Sequence, residues 1–309
     1  MESGARPHVP GCARLCPGDP RYPAQLAAVP GCPGELFVQG DPAVLALPQL
    51  AIVGSRAASA AGRETAFEFA AALACRGLAI TSGLATGIDA AAHRGALAAG
   101  GVTIAVCGTG LDRVYPAGHT ALAAEIVERG ALVSEFPPGT PPLAHHFPRR
   151  NRIMSGLARG VLVVEAAARS GSLITARLAG EQGREVLAVP GSIRHELARG
   201  CHRLIKDGAA LVETPDDVIA ALEFRGFLPA NPAACAAGAA ENSAGRLDSD
   251  AEILLNALGF EPADLDRLVE RTGFPPQAVA SKLQLLELEG RVESLAGGRF
   301  SRTSPRRTR

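Results

Sequence analysis

The stretch HFPRRNRIMSGLARGVLVVEAAARSGSLITARLAG, from His146 to Gly180, points to one class of fold. A basic loop runs into a short helix at Arg152–Leu157, an apolar strand follows at Val161–Val164, and a Ser-Gly turn precedes a helix that begins near Ser172. This alternation is typical of an open α/β sheet, in which the loops after the strands gather at one edge and bind ligands.

That edge combines positive charge with a helix start. Its candidate ligand-binding residues are Phe147, Arg149, Arg150, Asn151, Arg152, Ser170, Gly171 and Ser172. Guanidinium groups bind phosphate oxygens in pairs, and free backbone N–H groups at a helix N-terminus attract anions. We expect Asn151 and Ser172 to act as N-caps, and Phe147 to be either a platform for a nucleobase or a core anchor. The pattern predicts a phosphate-rich ligand, either a nucleotide or a polymer.

Outward from this stretch, apolar strands alternate with helices. Strands are predicted at 50–53, 78–81, 103–106, 131–134, 161–164, 185–189 and 210–212, and helices at 58–75, 88–99, 119–129, 152–157, 173–182, 200–207 and 215–223. Strands that are apolar throughout indicate a parallel sheet covered on both faces. The predicted fold class is therefore α/β, an extended Rossmann-like parallel sheet domain followed by a small C-terminal winged-helix domain.

The chain divides into five predicted segments. They are an N-terminal arm and connector (1–45, with 1–18 a loose arm and an extended run at 35–38), the Rossmann-like domain (46–223), a linker (224–246), the winged helix (247–302) and a basic tail (303–309). Helical patterns at 249–258, 262–272 and 275–288, followed by a hairpin around Gly297-Gly298, predict the winged helix. Its ten acidic and six basic residues give a net charge of −4, which favours a protein-contact or regulatory role over duplex binding.

Gly54, Ser55 and Arg56 follow the first predicted strand of the large domain, where a glycine permits a tight turn and the arginine faces the ligand edge. The positions of Arg56 and Ser59 exclude a G-x-G-x-x-G dinucleotide fingerprint, and no G-K-[ST] sequence marks a P-loop. Nucleotide hydrolysis by that route is therefore not expected, and no cofactor is implied.

The amino-acid composition limits which kinds of function and which cellular locations are expected. The net charge is zero, so any nucleic-acid surface must be local. Seven cysteines without a C-x-x-C pair predict free thiols and no metal centre. No apolar run or leader pattern predicts a membrane span or a signal peptide, so we expect a cytoplasmic protein.

Asp89, His93, Glu135 and Glu165 invite a catalytic interpretation, but Asp89 and His93 lie one helical turn apart and can pair with each other. We expect no enzyme activity.

Eight blocks resemble the signature of the DNA-processing protein A family (DprA, also called Smf). They are IVGSR (52–56), TSGLATGIDAAAHRGAL (81–97), GTGLDRVYP (108–116), LVSEFPPG (132–139), FPRRNRIMSGL (147–157), EAAARSGSLITARLA (165–179), GREVLAVPGSI (183–193) and GCHRLIKDGAALV (200–212), in collinear order. The resemblance implies a small helical domain before the connector, and the N-terminal segment here has almost nothing that matches it.

The resemblance also implies a function. Family members bind single-stranded DNA without catalysis, load a RecA-type recombinase onto it in natural transformation and recombination, and form homodimers. The corresponding dimer segment is 200–212, with His202, Leu204, Ile205 and Leu211 as interface candidates.

Two rival functions remain open at this point. One is a Rossmann-fold nucleotide-processing enzyme of the phosphoribohydrolase type, whose P-G-G-x-G-T-x-x-E motif has only SGSLITARLA as a counterpart here. The other is a transcription regulator that binds a specific duplex site through the winged helix, and the acidic composition of residues 247–302 disfavours duplex binding.

Overall fold

The computed structural model describes residues 11–224, 249–258 and 262–302. Two compact units emerge from the described residues, a large one from residues 11–58 and 65–224 and a small one from residues 249–258 and 262–302, with which residues 59–64, at the start of the long helix 60–75, are grouped. The large unit contains strands β1 (Cys12–Leu15), β2 (Leu36–Gly40), β3 (Gln49–Val53), β4 (Ala79–Ser82), β5 (Thr103–Val106), β6 (Ala131–Ser134), β7 (Gly160–Val163), β8 (Glu185–Ala188) and β9 (Ala210–Leu211). Its α-helices are α1 (Ala24–Ala27), α2 (Ala60–Cys75), α3 (Ile88–Ala98), α4 (Thr120–Arg129), α5 (His146–Leu157), α6 (Ser172–Glu181), α7 (Arg199–Lys206) and α8 (Pro215–Ala221).

The strands form one nine-stranded sheet in the order β1-β2-β6-β5-β4-β3-β7-β8-β9. Strands β3 to β9 run parallel, as predicted for an α/β fold, with Ile52 opposite Leu162. The chain proceeds from β3 through β4 and β5 to β6, then returns to β7 on the other side of β3. The loops after β3 and β7 therefore diverge, which opens a crevice at the carboxyl edge of the sheet.

Alternate side chains of each strand pack on opposite faces of the sheet. Ala51 and Val53 face a core formed with α5, α6 and α7, whereas Leu50 and Ile52 face α2, α3 and α8. A third buried cluster lies between β2, β5 and α4. Burial on both faces explains why the parallel strands are apolar along their whole length.

Two local predictions are wrong. Residues 12–15, expected in a loose arm, form the edge strand β1, which pairs antiparallel with β2, and β2 in turn pairs antiparallel with β6. Helix α5 begins at His146 rather than Arg152, so the three arginines lie within the helix and not in a loop. Pro148 is compatible with this start because it lies in the first turn, where its missing N–H has no intrahelical acceptor.

The second unit has the predicted winged-helix elements. Helices at Ser249–Leu258, Leu265–Thr272 and Pro276–Leu288 accompany strands Ala263–Asp264, Val292–Leu295 and Arg299–Arg302 in a three-stranded sheet. The Asp264 side chain accepts a hydrogen bond from the Arg267 amide, and left-handed Gly273 ends that helix. Leu254, Leu268 and Leu283 are fully buried in its core.

Several predictions lie outside the described residues: the linker after Phe224, the tail 303–309 and Cys235. Within the described ranges, no helix is long and apolar enough to cross a membrane, and no cluster of His, Cys, Asp and Glu side chains suits a metal ion.

Candidate functional site

A groove of roughly 780 Å³ lies at the carboxyl edge of the sheet, where the loops after β3 and β7 diverge. Of the predicted ligand-binding residues it is lined by Gly54, Ser55, Arg56, Phe147, Arg150, Asn151, Ser170, Gly171 and Ser172. Among the other residues that line it, which the sequence analysis did not select as ligand-binding, are Asp89, Tyr115, Arg169 and Thr175. The sheet topology thus brings together residues more than a hundred positions apart.

Two exposed arginines supply positive charge to this groove. Arg56 follows β3, and Arg169 stands in the turn before α6. Neither forms an ion pair with a carboxylate among the residues described, so both guanidinium groups are available to an anion. Arg169 was missed although it directly precedes Ser170, because an arginine in a surface turn has no sequence signature of binding.

Arg150 lines the same groove but is buried rather than exposed at its surface. The residue is 4% exposed, and its Nη1 donates to the backbone oxygens of Gly83, at 2.8 Å, and of Val106. These oxygens lie at the ends of β4 and β5, so the guanidinium ties α5 to the sheet. A Cβ atom at position 83 would lie 2.1 Å from Nη2, and only glycine leaves that space. Burial lowers the pKa of Arg150, and nearby Asp89 opposes the change.

Arg149 and Arg152, which were also predicted to bind the ligand, do not line the groove. Both pair with the buried carboxylate of Glu135, through Nη2–Oε2 distances of 2.9 and 2.6 Å. Arg149 and Arg152 lie three positions apart and so share one face of the helix, whereas Arg150 is rotated about 100° from Arg149. Glu135 is therefore an ion-pair partner of α5, and one carboxylate offsets part of the charge of two arginines.

The start of α6 forms the opposite wall of the groove. Ser172 is the first helical residue and not the expected N-cap; the hydroxyl of Ser170 accepts its amide at 3.3 Å. Thr175, in the first turn, has a buried hydroxyl with no hydrogen-bond partner among the described residues. The amides of Ser172, Leu173 and Ile174 already donate to oxygens of the preceding turn, so the start of this ten-residue helix offers an anion the partial positive charge of its dipole.

Asn151 also differs from its predicted role as a cap. It lies inside α5, where its side-chain oxygen accepts a hydrogen bond from Arg150 Nε at 3.1 Å and its Nδ2 lies 3.5 Å from the Gly171 oxygen. Asn151 therefore connects α5 to the turn before α6 and helps to set the distance between the two walls.

Aromatic side chains occupy one end of the groove. The half-buried ring of Phe147 lies 5.4 Å from that of Tyr115, between centroids, and 5.5 Å from the guanidinium carbon of Arg56. Tyr115, which the sequence analysis did not select, is 46% exposed.

Asp89 and His93 do not pair with each other. Asp89 accepts a hydrogen bond from the Ala85 amide at 3.4 Å, and burial raises its carboxyl pKa. His93 Nδ1 lies 2.7 Å from Thr103 Oγ1, and burial lowers the imidazole pKa to about 3. Glu165 lies 4.0 Å from His195 Nδ1, and its backbone oxygen accepts the Ser55 amide. The hydroxyl of Ser134 also has a local partner, the Thr109 oxygen, to which it donates.

The predicted dimer residues lie at the β9 edge of the sheet. Leu211 is 48% exposed. Leu204 and Ile205 are half-buried and pack against the core, and His202 Nε2 lies 2.8 Å from the Gly191 oxygen. Leu211 is thus the most accessible apolar side chain of the four candidates.

Both parts of the chain match models of the same protein family. Residues 13–223 match the family described as DNA recombination-mediator protein A, and residues 238–298 match the DprA winged helix domain. Protein Smf of Escherichia coli K12 is 49% identical over 293 residues, which cover 92% of this chain and 76% of the relative. The DNA processing protein DprA of Streptococcus pneumoniae is 49% identical over 206 residues, covering 67% of this chain and 73% of the relative.

Two solved structures are similar to this chain over about two thirds or more of its length. The X-ray structure of S. pneumoniae DprA has a TM-score of 0.65 at 48% identity, covering 67% of this chain and 73% of that one. The structure of Helicobacter pylori DNA processing protein A, described as revealing its single-stranded DNA binding mode, has a TM-score of 0.64 at 26% identity and covers 72% of this chain and 100% of that one.

Proposed function

This chain belongs to the DprA/Smf family of DNA recombination mediators, and from that premise we propose that it binds single-stranded DNA in the groove and delivers the strand to a RecA-type recombinase. The proposal assigns no bond-making or bond-breaking step to the protein. Groove binding is argued from the geometry, and delivery from the family.

The groove carries the proposal because it combines two kinds of contact. Arg56 and Arg169 provide accessible guanidinium groups, and the N-terminus of α6 adds the partial positive charge of the helix dipole. Phe147 and Tyr115 provide aromatic rings at one end. A polymer of phosphates with unstacked bases satisfies both kinds of contact at once, and a single strand offers its bases without the cost of unpairing a duplex.

Binding without catalysis agrees with the partners of the polar groups in and near the groove. The carboxylate of Asp89 accepts a backbone amide, and the imidazole of His93 contacts Thr103 on the next strand. Hydrolysis of a nucleotide requires a general base within hydrogen-bond reach of an attacking group. This arrangement favours the binding protein over a phosphoribohydrolase-like enzyme.

The decisive measurement is affinity for a single strand and for a duplex at two or more salt concentrations. We expect tighter binding to the single strand, and we expect Arg56→Ala/Arg169→Ala to weaken it about 100-fold, the loss of two charge-assisted contacts. Each lost phosphate contact should flatten the slope of log K against log salt by about 0.7.

The matched control is Arg94→Ala/Arg129→Ala, which removes the same charge from exposed positions that do not line the groove. It should bind almost as the wild type does. Equal losses in the two double variants would show that overall charge, and not the groove, governs binding.

Delivery to a recombinase requires a separate assay. On strands coated with a single-strand-binding protein, the wild type should accelerate assembly of RecA-type filaments, and Arg56→Ala/Arg169→Ala should not. Normal DNA binding by the wild type without any acceleration would reject the delivery role and retain the binding role.

We further propose that two copies associate through the β9 edge. A short edge strand with an exposed leucine is a surface that requires cover. Leu211→Arg should give a monomer by light scattering with unchanged thermal stability. Leu204→Arg is a poorer test because Leu204 packs against the core and its replacement would also destabilise the fold. An unchanged mass for Leu211→Arg would exclude this interface.

A further inference from the structure

The loop between β8 and α7 extends the carboxyl edge of the sheet beyond the groove. Strand β8 lies between β7 and β9 and runs parallel to both, so its carboxyl end points the same way as theirs. The segment between β7 and Arg169 holds this loop, because the Ala166 amide donates to the Leu197 oxygen at 2.7 Å and the Ala166 oxygen accepts the Gly200 amide at 2.8 Å. A strand that leaves the groove past Arg169 toward β9 therefore meets this loop and the start of α7.

Helix α7 presents a basic face to solvent. Arg199, Arg203 and Lys206 stand at positions i, i+4 and i+7, which share one face of a helix, and all three are exposed. We call these three residues the α7 stripe. The opposite face holds the helix in place, since Cys201 is fully buried and Leu204 packs against the core. The stripe is thus an outward-facing row of cations on a fixed helix.

Positive charge is concentrated around the stripe. Residues 190 to 207 include four basic side chains, the stripe and exposed Arg194, and two acidic ones, Glu196 and Asp207. The whole chain, by contrast, has no net charge. Because Arg194 lies in the β8–α7 loop, the cations extend from the loop beside the groove onto α7.

Helix stability does not account for these cations. Arg199 is the first residue of α7, where a positive charge lies at the positive end of the helix dipole and is unfavourable. Among the described residues, neither Arg194 nor Arg199 has an ion pair with a carboxylate. Arg203 Nε lies 3.6 Å from Asp207 Oδ2, but the two side chains are 70% and 63% exposed, and a pair this exposed adds little stability. The side chains are therefore available to a polyanion.

The position of the stripe favours a nucleic acid over an acidic protein as its ligand. The phosphates of a long single strand continue beyond the part that a groove encloses. Arg199 adjoins Gly200, which is bonded to the segment that leads to Arg169, so a strand that leaves the groove on this side has cations directly along its way. Cations spaced along a surface bind a phosphate backbone whatever its base sequence. An acidic protein would require no such continuity with the groove.

We infer that the α7 stripe, together with Arg194, is a second binding site for the phosphate backbone of single-stranded DNA, which holds the stretch of strand that leaves the groove on the β9 side. This inference rests on the proposed single-strand binding and adds a site outside the groove. Only strands long enough to reach from the groove to α7 use this site.

The scarcity of lysine allows a direct test on the wild-type protein. Lys206 and Lys282 are the only two lysines in the chain, and Lys282 lies in the winged-helix unit. Acetylation by an N-hydroxysuccinimide ester, followed by mass spectrometry, measures the accessibility of both amines. Saturating oligothymidylate of about 25 nucleotides should slow acetylation of Lys206, whereas one of about 5 nucleotides, near the smallest site of a single-strand-binding fold, should not. Lys282 should react equally with either strand and is the internal reference.

Affinity gives the second readout. Arg199→Gln/Lys206→Gln should weaken binding of the longer strand about tenfold, or about 1.4 kcal/mol, and flatten its salt slope by about 0.7 for each lost contact. Binding of the shorter strand should change less than about twofold. Arg199→Lys/Lys206→Arg keeps both charges and should bind as the wild type does. The matched control, Arg94→Gln/Arg129→Gln, changes exposed positions outside the groove and the stripe and should bind both strands almost normally.

The outcomes separate this inference from the proposed function. If the wild type binds neither strand, single-strand binding is wrong and the inference falls with it. If it binds both strands but Lys206 reacts equally with either one bound, binding in the groove stands and the second site is rejected. If Arg199→Gln/Lys206→Gln binds the longer strand normally but no longer accelerates recombinase assembly, the stripe contacts an acidic protein and the DNA site is rejected.

Helix α7 also carries the predicted dimer residues His202 and Ile205, so light scattering of the variants must give the mass of the wild type. If the mass or the folding of a variant differs, acetylation of Lys206 decides the question, because that experiment leaves α7 intact.

Discussion

The groove of the large unit and the third helix of the winged-helix unit, Pro276–Leu288, both lie where folds of their classes bind nucleic acid, yet their side chains differ. The groove presents Arg56 and Arg169 beside a helix N-terminus. The outer face of the third helix presents Gln277, Ser281, Gln284, Leu285 and Leu288, without a charge. A recognition helix that enters a duplex requires cations near the phosphates.

The basic residue of that helix does not alter this contrast. Lys282 lies toward the side of the helix, with Nζ 3.4 Å from a carboxylate oxygen of Asp250. Leu288 is 86% exposed, which is unusual for a surface that must approach DNA. The fold class therefore indicates where a ligand binds, whereas the charges at that place decide whether nucleic acid is the ligand.

The largest expected effect is on stability: lowering the pH should destabilise the large unit more than the winged-helix unit. All seven histidines precede residue 203, and buried His93 has a pKa lowered from 6.5 to about 3. Because the folded-state pKa is below the unfolded one, the stability that neutral His93 confers is complete above pH 6.5 and is lost as the pH falls toward 3. We expect the large unit to lose on the order of 4 kcal/mol of unfolding free energy across that range.

Urea unfolding followed by tyrosine fluorescence measures this loss in the large unit alone, since Tyr22 and Tyr115 both lie there. His93→Gln should be less stable at neutral pH but should show a flatter dependence on pH. An identical pH dependence in the variant would show that other groups control acid unfolding.

Replacing the buried arginine should affect stability and DNA binding together. Arg150→Met leaves the carbonyl oxygens of Gly83 and Val106 without their donor, and we expect a loss of about 3 kcal/mol in unfolding free energy. DNA affinity should also fall, because α5 carries Phe147 and Asn151. Denaturant titration and strand binding measure the two effects.

Arg149→Met is the matched control for that variant. It changes the neighbouring arginine, whose side chain is 58% exposed and whose partner Glu135 keeps its second ion pair with Arg152, so the loss should stay within about 1 kcal/mol. Normal stability of Arg150→Met with reduced DNA binding would instead make Arg150 a direct phosphate ligand.

Adding positive charge to the third helix of the winged-helix unit should increase its affinity for duplex DNA. Gln277→Arg/Ser281→Arg places two cations on its outer face and should tighten duplex binding up to about tenfold, with the salt slope steeper by up to about 1.8. Gln277→Glu/Ser281→Glu is the control and should give no gain. Strong duplex binding by the unmodified protein, lost on changing Gln284 and Leu285 to alanine, would break the contrast between the two regions.

The smallest effect is expected from removing the winged helix. A chain ending at Glu223 should keep its affinity for a single strand within about a factor of ten of the full chain, or about 1.4 kcal/mol. A larger drop would mean that residues after Glu223 hold DNA, despite the net charge of −4 between residues 247 and 302.

The sequence by itself determined the fold class, the family and the edge of the sheet where the groove lies. Apolar strands alternating with helices sufficed for the parallel sheet, since burial on both faces requires apolar residues throughout each strand. The collinear blocks sufficed for the family, which the matches over residues 13–223 and 238–298 confirm. Gly54–Arg56 and Ser170–Ser172 could be placed at the same edge because both follow parallel strands.

The tertiary structure alone decided the orientation and partners of individual side chains. Three arginines within four residues looked equivalent in sequence, yet Arg150 is buried against β4 and β5 while Arg149 and Arg152 share Glu135. Arg169 and Tyr115 joined the groove through neighbours far away in the chain. Local sequence sets the period of a helix, but its rotation about its own axis, and hence which arginine meets the sheet, is set by packing among residues distant in sequence.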